Sequence, residues 1–349
     1  MIEYFLNMKI IKNTVFVILA LSFISCSESQ NYNAELKGNT MGTYYVINIV
    51  DIPKNLELKK IRLEIEKSLT LTNKILSNWD KSSEISKLND VKNVGLIKIS
   101  DQLEEVLKQA NFINDKSDGY FDITADPLIE LWGFGYKKKK KTNILPTESE
   151  INNALSLVNQ KKLFKIDYTK NEFYKKNKDL KLNLSAIGKG YGIDLIGKTL
   201  EKLNLKNYLI NIGGDILVKG HNKNKENWKI GIENPNLKEK LVKEIINVSN
   251  KGIASSGDYK NFYLSNGKQY SHIINPVIGK PINHQTKSVT VVSQNATDAD
   301  GWATALLVMG RKKGIKLAED TKKAVLFIED VDGKLLKFKS SEFKKLVKE

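Results

Sequence analysis

The residue types able to do chemistry gather most densely in Thr297-Asp298-Ala299-Asp300-Gly301-Trp302-Ala303-Thr304, which runs into the apolar stretch 305–310. The apolar stretch reads as a buried helix. Asp300 and Thr304 stand four apart, so they share one face at its N-terminal end. A carboxylate and a hydroxyl placed together offer two hard oxygens, suited to Mg²⁺ or Ca²⁺ and poor ligands for a soft metal. Asp and Thr are also common helix caps. Taken alone, the run leaves a metal site and a capped helix start both open.

Three further segments have chemical potential. Residues 183–192 place Gly188, Gly190, Gly192 and Lys189 between a strand and a helix. Such a turn can present backbone N–H groups and a point charge to a phosphate. It lacks the dinucleotide and Walker spacings, and a tight turn with a surface lysine is the alternative. Gly213-Gly214-Asp215 is a second glycine-rich junction, which a hairpin corner also explains. His272 precedes Asn275-Pro276, which ends the strand and is expected to leave the imidazole on a loop. An imidazole there can take a proton from an attacking hydroxyl near neutral pH. His221 and His284 read as surface residues without partners. Tyr120-Phe121-Asp122 and Trp132-Gly133-Phe134-Gly135 interleave aromatics with glycine, as a planar ligand would require. Core packing is the preferred reading for Trp132 and Phe134. Trp79, after a long helix, adds another aromatic face.

These groups need a substantial frame, and 349 residues with 41% hydrophobic content suffice for one. The net charge of +16 is carried by lysine, with Arg62 and Arg311 the only arginines. Lysine spread so evenly does not form a nucleic-acid footprint, which clusters and uses arginine. The dense run of lysines 137–141 reads as a solvated loop. At the N-terminus, a basic segment 8–13 precedes an apolar segment 14–23 too short to span a bilayer. It ends at Ser25-Cys26, a small residue before the only cysteine. This is similar to a bacterial lipoprotein signal. Residues 1–25 are thus expected to be a signal peptide, 26–36 a tether lipidated at Cys26, and 37–349 the catalytic domain. The expected location is extracytoplasmic and membrane-anchored, at the periplasmic face of the inner membrane.

Alternation predicts a strand over 43–50, and apolar spacing predicts helices over 56–76 and 187–203. Another helix starts at Asp101 with Glu104 completing a capping box, and a third at Thr147. From 208 the chain turns mostly to strands, with hairpins at Asn266-Gly267 and Asp332-Gly333. The expected class is α+β, a single mixed α/β domain with antiparallel sheets and packed helices.

From Gly38 to Gly310 these segments, in this order, resemble the ApbE family of FAD:protein FMN transferases. The resemblance rests on residues 39–45, 76–89, 119–122 with 132–135, 186–190, 213–215, 254–259, 272–276 and 298–304. It implies a T-fold-like flavin transferase architecture, Mg²⁺ as cofactor and FAD as substrate. It also implies that FMN moves to a Thr or Ser hydroxyl of an acceptor protein, such as a redox-complex subunit, with release of AMP. By position, Asp300, Thr304 and the Ala186 carbonyl would hold the metal. Met41, Trp79, Tyr120, Phe121, Asp122, Asn183, Lys189 and the backbone near Ile274 would hold FAD, and His272 would be the general base. Asp298 falls off the face shared by Asp300 and Thr304. The same site open to water would be an FAD pyrophosphatase yielding FMN and AMP, and a non-catalytic FAD-binding lipoprotein is a further alternative. Three positions depart from the family pattern: Asn183 and Asn275 stand where aspartate is usual, and Trp79 where tyrosine is usual.

Overall fold

The computed structural model describes residues 31–135, 145–235, 242–259 and 261–347. The signal segment, Cys26 and lysines 137–141 lie outside them. Strand β1 (Tyr32–Thr40) turns at Met41-Gly42 into β2 (Thr43–Ile52), its antiparallel partner. β1 thus starts inside the stretch assigned to the tether. Tyr32, Ala34 and Leu36 share one face, and Leu36 is buried, so the folded unit claims these residues.

Helix α1 (Leu58–Leu76) buries Ile61, Ile65 and Leu69, the spacing of one helical face. α2 (Glu84–Asp90), β3 (Gly95–Lys98) and α3 (Asp101–Lys116) follow. The cap of α3 is Ser100, whose hydroxyl accepts the Leu103 N–H at 3.2 Å, rather than the Asp101 capping box read from the sequence. Next come α4 (Asp126–Leu131), α5 (Glu148–Leu155), α6 (Gln160–Leu163), β4 (Phe164–Asp167) and β5 (Glu172–Lys175). Thr147 and Glu150 form the capping box of α5. α7 (Gly188–Lys202) leads to β6 (Asn207–Ile212), β7 (Asp215–Lys219), β8 (Trp228–Glu233), β9 (Val242–Val248) and β10 (Lys251–Gly257). After these come the hairpin β11 (Phe262–Ser265) and β12 (Lys268–Ser271), the short pair β13 (Ile274–Asn275) and β14 (Lys280–Pro281), and β15 (Thr286–Ser293). The chain closes with α8 (Ala296–Met309), α9 (Arg311–Asp320), β16 (Ala324–Val331), β17 (Lys334–Lys339) and α10 (Ser341–Lys344).

Eight strands make one antiparallel sheet in the order β1-β2-β6-β7-β10-β15-β16-β17. Two apolar layers lie among the sheet and α1, α3, α7 and α8. A third lies where β8, β9 and Phe343 of α10 cover sheet residues such as Val218, Ile253 and Leu326. With both faces covered, central strands lose their alternation: four of the five β7 residues are buried. The architecture is the mixed α/β one expected, and it brings the starts of β7, α7 and α8 together.

Lys175, at the end of β5, is fully buried. Its ammonium donates to the Val91 and Leu88 carbonyls, and among the described residues no carboxylate pairs with it. Burial, with Lys181 and Lys92 adding to it, pushes its pKa down to about 8. The unfolded chain therefore holds this proton to higher pH than the folded one, and stability rises with pH above 8. We expect Tm to climb between pH 8 and 10 by a few degrees, on the order of 1 kcal/mol. Thermal melts of Lys175→Met should lack that climb.

Candidate active site

Helix α8 begins a full turn before Asp300. Asn295 caps it, accepting the Asp298 N–H at 2.8 Å. Asp194 of α7 caps it from across the fold, accepting the Ala296 N–H at 2.9 Å and the Thr297 N–H at 2.8 Å. Asp300 and Thr304 therefore sit inside the helix, and the capping role left open for them is overturned. They are the polar stripe of a helix whose other positions, among them Trp302 and Leu306, fill the core.

The buried Asp300 carboxylate accepts the Gly190 N–H at 3.0 Å through Oδ2 and lies 3.4 Å from Lys189 Nζ through Oδ1. Lys189 also donates to Asp215. The turn of Gly213 (φ +59°) and Gly214 (φ +101°) sets Asp215 at the start of β7. Its other oxygen accepts the Ser255 N–H at 3.3 Å. Burial pushes the Asp215 pKa up to about 6; Lys189 opposes the shift and Asp300 adds to it. For Lys189 burial acts to lower the pKa, but Asp215 and Asp300 outweigh it and hold the ammonium above its ordinary value. Thr304 Oγ1 lies 3.1 Å from Ser256 Oγ of β10. Asp298 is engaged elsewhere, by Gln109 at 2.7 Å, Ser293 at 2.6 Å and Lys323 at 2.8 Å.

The donor types here are those a hard cation takes. In an uninterrupted helix the Gly190 N–H would bond the Ala186 carbonyl four residues back. Here it goes to Asp300, and among the described residues no N–H donates to Ala186. A carbonyl, a carboxylate and a hydroxyl are an all-oxygen donor set of the kind Mg²⁺ takes. The contact of α7 with α8 requires glycine at 190, where a Cβ would stand 2.3 Å from the Ala296 carbonyl oxygen. Gly190→Ala is expected to push the helices apart and cost about 2 kcal/mol, read as a lowered urea midpoint.

Beside this cluster opens a cleft of about 830 Å³ lined by Met41, Trp79, Asn183, Lys189, Phe134 and His272. Met41 (φ +48°) sits in the strained β1–β2 turn. It reaches across to Gly192, where a Cβ would be 2.4 Å from its terminal methyl. Trp79 is 70% exposed, leaving most of the indole open to solvent. The Asn183 amide donates to Asp126 at 2.9 Å, and its carbonyl oxygen accepts the Ser185 N–H at 3.0 Å. An aspartate at 183 would set two carboxylates together, which accounts for the amide here. Asn275 caps a turn instead, accepting the Val277 N–H at 2.9 Å.

His272 follows β12, with its ring edge-on to Phe134 at 6.3 Å. Nδ1 lies 2.8 Å from the Asn261 carbonyl oxygen, which also accepts the His272 backbone N–H at 3.1 Å. A carbonyl only accepts, so Nδ1 carries the proton and Nε2 the lone pair. Burial pushes the imidazole pKa below 6.5, against the raising effects of Asn261 and Asp258, so it is neutral at pH 7.

The structure thus brings Met41, Trp79, Asn183, Lys189 and His272 to one cleft, with Asp300 beside Lys189; Thr304 pairs with Ser256, and Ala186 stands three residues before Lys189 in the turn that opens α7. It does not bring the Tyr120, Phe121, Asp122 and Ile274 side chains there. Phe121 fills the core. Asp122 accepts the Thr124 N–H at 2.8 Å and the Gln160 N–H at 3.1 Å, and burial raises its pKa. Ile274 packs with Leu128 and Trp132. The 120–124 segment supports the site through its backbone: the Asn183 N–H donates to the Ile123 carbonyl at 2.7 Å. His221 and His284 have partners after all, Asn222 at 3.0 Å and Leu307 at 2.9 Å, both backbone carbonyls. Sequence reading missed Asn261, Ser256 and Asp126 as partners. Asn261 acts through its main chain, which leaves no residue-type signal.

The chain as a whole is similar to known proteins. The family model described as "ApbE family" matches residues 41–327. The FAD:protein FMN transferase of Vibrio cholerae is 34% identical over 333 residues, 95% of this chain and 98% of that protein. Its counterpart in Buchnera aphidicola (subsp. Schizaphis graminum) is 37% identical over 337 residues, 96% of this chain and 97% of that protein. The structure of the flavin transferase ApbE from Vibrio cholerae superposes with a TM-score of 0.83 at 35% identity, covering 91% of this chain and all of that one. The apo flavinyl transferase ApbE of Pseudomonas stutzeri gives 0.83 at 29% identity, covering 91% of this chain and 98% of that one. Sequence and whole-chain fold agree, and the chain belongs to the ApbE family.

Proposed function

We propose that the chain is a Mg²⁺-dependent FAD:protein FMN transferase that moves FMN to a Thr or Ser hydroxyl and releases AMP. The observation that carries this is one cleft lined both by Lys189, which is held by Asp215 and Asp300, and by a neutral His272. Lys189 meets the pyrophosphate of FAD, and Trp79 offers its indole face to a planar ring. His272 Nε2 accepts the acceptor hydroxyl's proton as that oxygen bonds to the FMN phosphorus. The phosphorus–oxygen bond to the AMP half breaks, and AMP leaves with the electron pair. Asp300, Thr304 and the Ala186 carbonyl would hold Mg²⁺, which would supply Lewis-acid charge against the pyrophosphate and the leaving phosphate. The chain's remaining task is positioning and exclusion of water.

Incubation with FAD and Mg²⁺, with and without a threonine-bearing acceptor protein, tests this. Covalent acceptor-bound flavin with equimolar AMP is expected; free FMN and AMP regardless of acceptor would instead mean a pyrophosphatase. The segment ending at Cys26 supports a lipid-anchored, extracytoplasmic enzyme acting on acceptors on the same side. Cys26→Ser should move the protein from the membrane to the soluble fraction, and its retention in the membrane fraction would rule out the anchor.

A further inference from the structure

A second cleft of about 690 Å³ lies behind the hairpin that leads to His272. The two clefts share a wall of aromatic rings. Trp132 stacks on Tyr270 at 5.8 Å, Tyr270 on Tyr263 at 5.4 Å, Tyr263 meets Phe134 at 5.4 Å, and Phe134 meets His272. Trp132 and Tyr270 line the second cleft, Phe134 and His272 the first.

The second cleft is unevenly charged. Its one lining carboxylate, Glu329, is already paired with Arg311 at 2.7 Å, and Lys280 pairs with Glu148. Lys268 and Lys312 have no carboxylate partner among the described residues, and Lys313 has only the Tyr120 phenol at 2.7 Å. Arg311, Lys312 and Lys313 form the first turn of α9, which holds no acidic residue. Cations at that end of a helix oppose its dipole. The fold therefore bears a local repulsion that an anionic partner would relieve.

We propose that this cleft seats an acidic segment of the acceptor protein, next to the hydroxyl that receives FMN. The inference rests on the transfer reading above. Tyr270 and His272 are two residues apart, about 7 Å along an extended chain. Lys268 stands four residues before His272 at the other end of β12, about 13 Å away and within reach of a few extended residues of an acceptor chain, and Lys312 lines the same cleft as Lys268. Charge complementarity there selects partners and speeds encounter.

The test uses two fluorescein-labelled peptides, one with a single threonine followed by four aspartates, the other with four serines instead. At low salt the wild type should bind the acidic peptide at least tenfold more tightly by fluorescence anisotropy. Lys268→Glu with Lys312→Glu should abolish the preference, while Lys59→Glu with Lys60→Glu, the same charge change on α1, should keep it. FAD affinity should be equal in all three proteins. Equal binding of both peptides, or equal loss in both variants, overturns the proposal. So does a Lys268/Lys312 effect seen only on anionic phosphatidylglycerol vesicles, which would assign the cleft to lipid. Preferential binding without flavin transfer to the threonine would instead count against the transfer reading and leave the acidic docking surface standing.

Discussion

His272→Ala should lower FMN transfer by about 10²–10⁴-fold, the usual contribution of a positioned general base, while FAD still binds. The split follows from the geometry. His272 borders the cleft but is no part of the Lys189–Asp300 cluster. Its Nδ1 is committed to the Asn261 carbonyl, so only Nε2 is available for proton transfer. Flavin fluorescence titration should give a similar FAD affinity in variant and wild type, with the loss confined to kcat. The pH profile supplies an independent check. Burial holds the imidazole pKa below 6.5, so the base form prevails at pH 7 and the His272-dependent rate falls only on acidification below 6.5. Transfer by His272→Ala at the wild-type rate would remove the residue from the reaction.

Lys189→Met should be the most damaging change to the folded site. Lys189 is the cation between two buried carboxylates, Asp215 and Asp300. Its removal leaves like charges facing each other in a region of low polarity. Breaking a buried pair costs roughly 3–5 kcal/mol. About a third of the Lys189 side chain is exposed to the cleft, so the loss belongs near 3 kcal/mol. The pH dependence has a definite sign. Asp215 has a folded pKa near 6, above its ordinary 3.8, so folding already favours its protonated form. Without the ammonium that preference grows, and the stability deficit should shrink as pH falls from 7 toward 5. Urea melts at pH 5 and pH 7 measure this. A deficit independent of pH would mean that Lys189 serves packing rather than charge. Millimolar Mg²⁺ should recover more stability in the variant than in the wild type, because a cation on Asp300 replaces part of the missing charge.

Much of this site is legible in the chain. The shared face of Asp300 and Thr304 and the glycine-rich turn at Lys189 can be read directly, because each requirement is local, while their joint assignment to one site comes from the family resemblance. Helix α1 and the hairpin at Asn266-Gly267 are also local, set by an apolar stripe and a turn. The true start of α8 was not legible. Half of its cap comes from Asp194, which is 102 residues away from Ala296 and reaches it only after folding. The charge state of Asp215 depends on burial and on Asp300, neither adjacent to it in sequence. The second cleft exists only because the hairpin folds back on the Trp132 segment.

The Asn261 carbonyl holds the His272 ring and its backbone at once. That contact uses an atom every amino acid possesses, so the bearing of the imidazole is indifferent to the side chain at 261. Position 261 can drift among residue types without turning the ring, and sequence comparison alone would pass over it. The machinery thus contains a part that selection on residue identity neither preserves nor reveals, and its loss would take a change in the path of the chain.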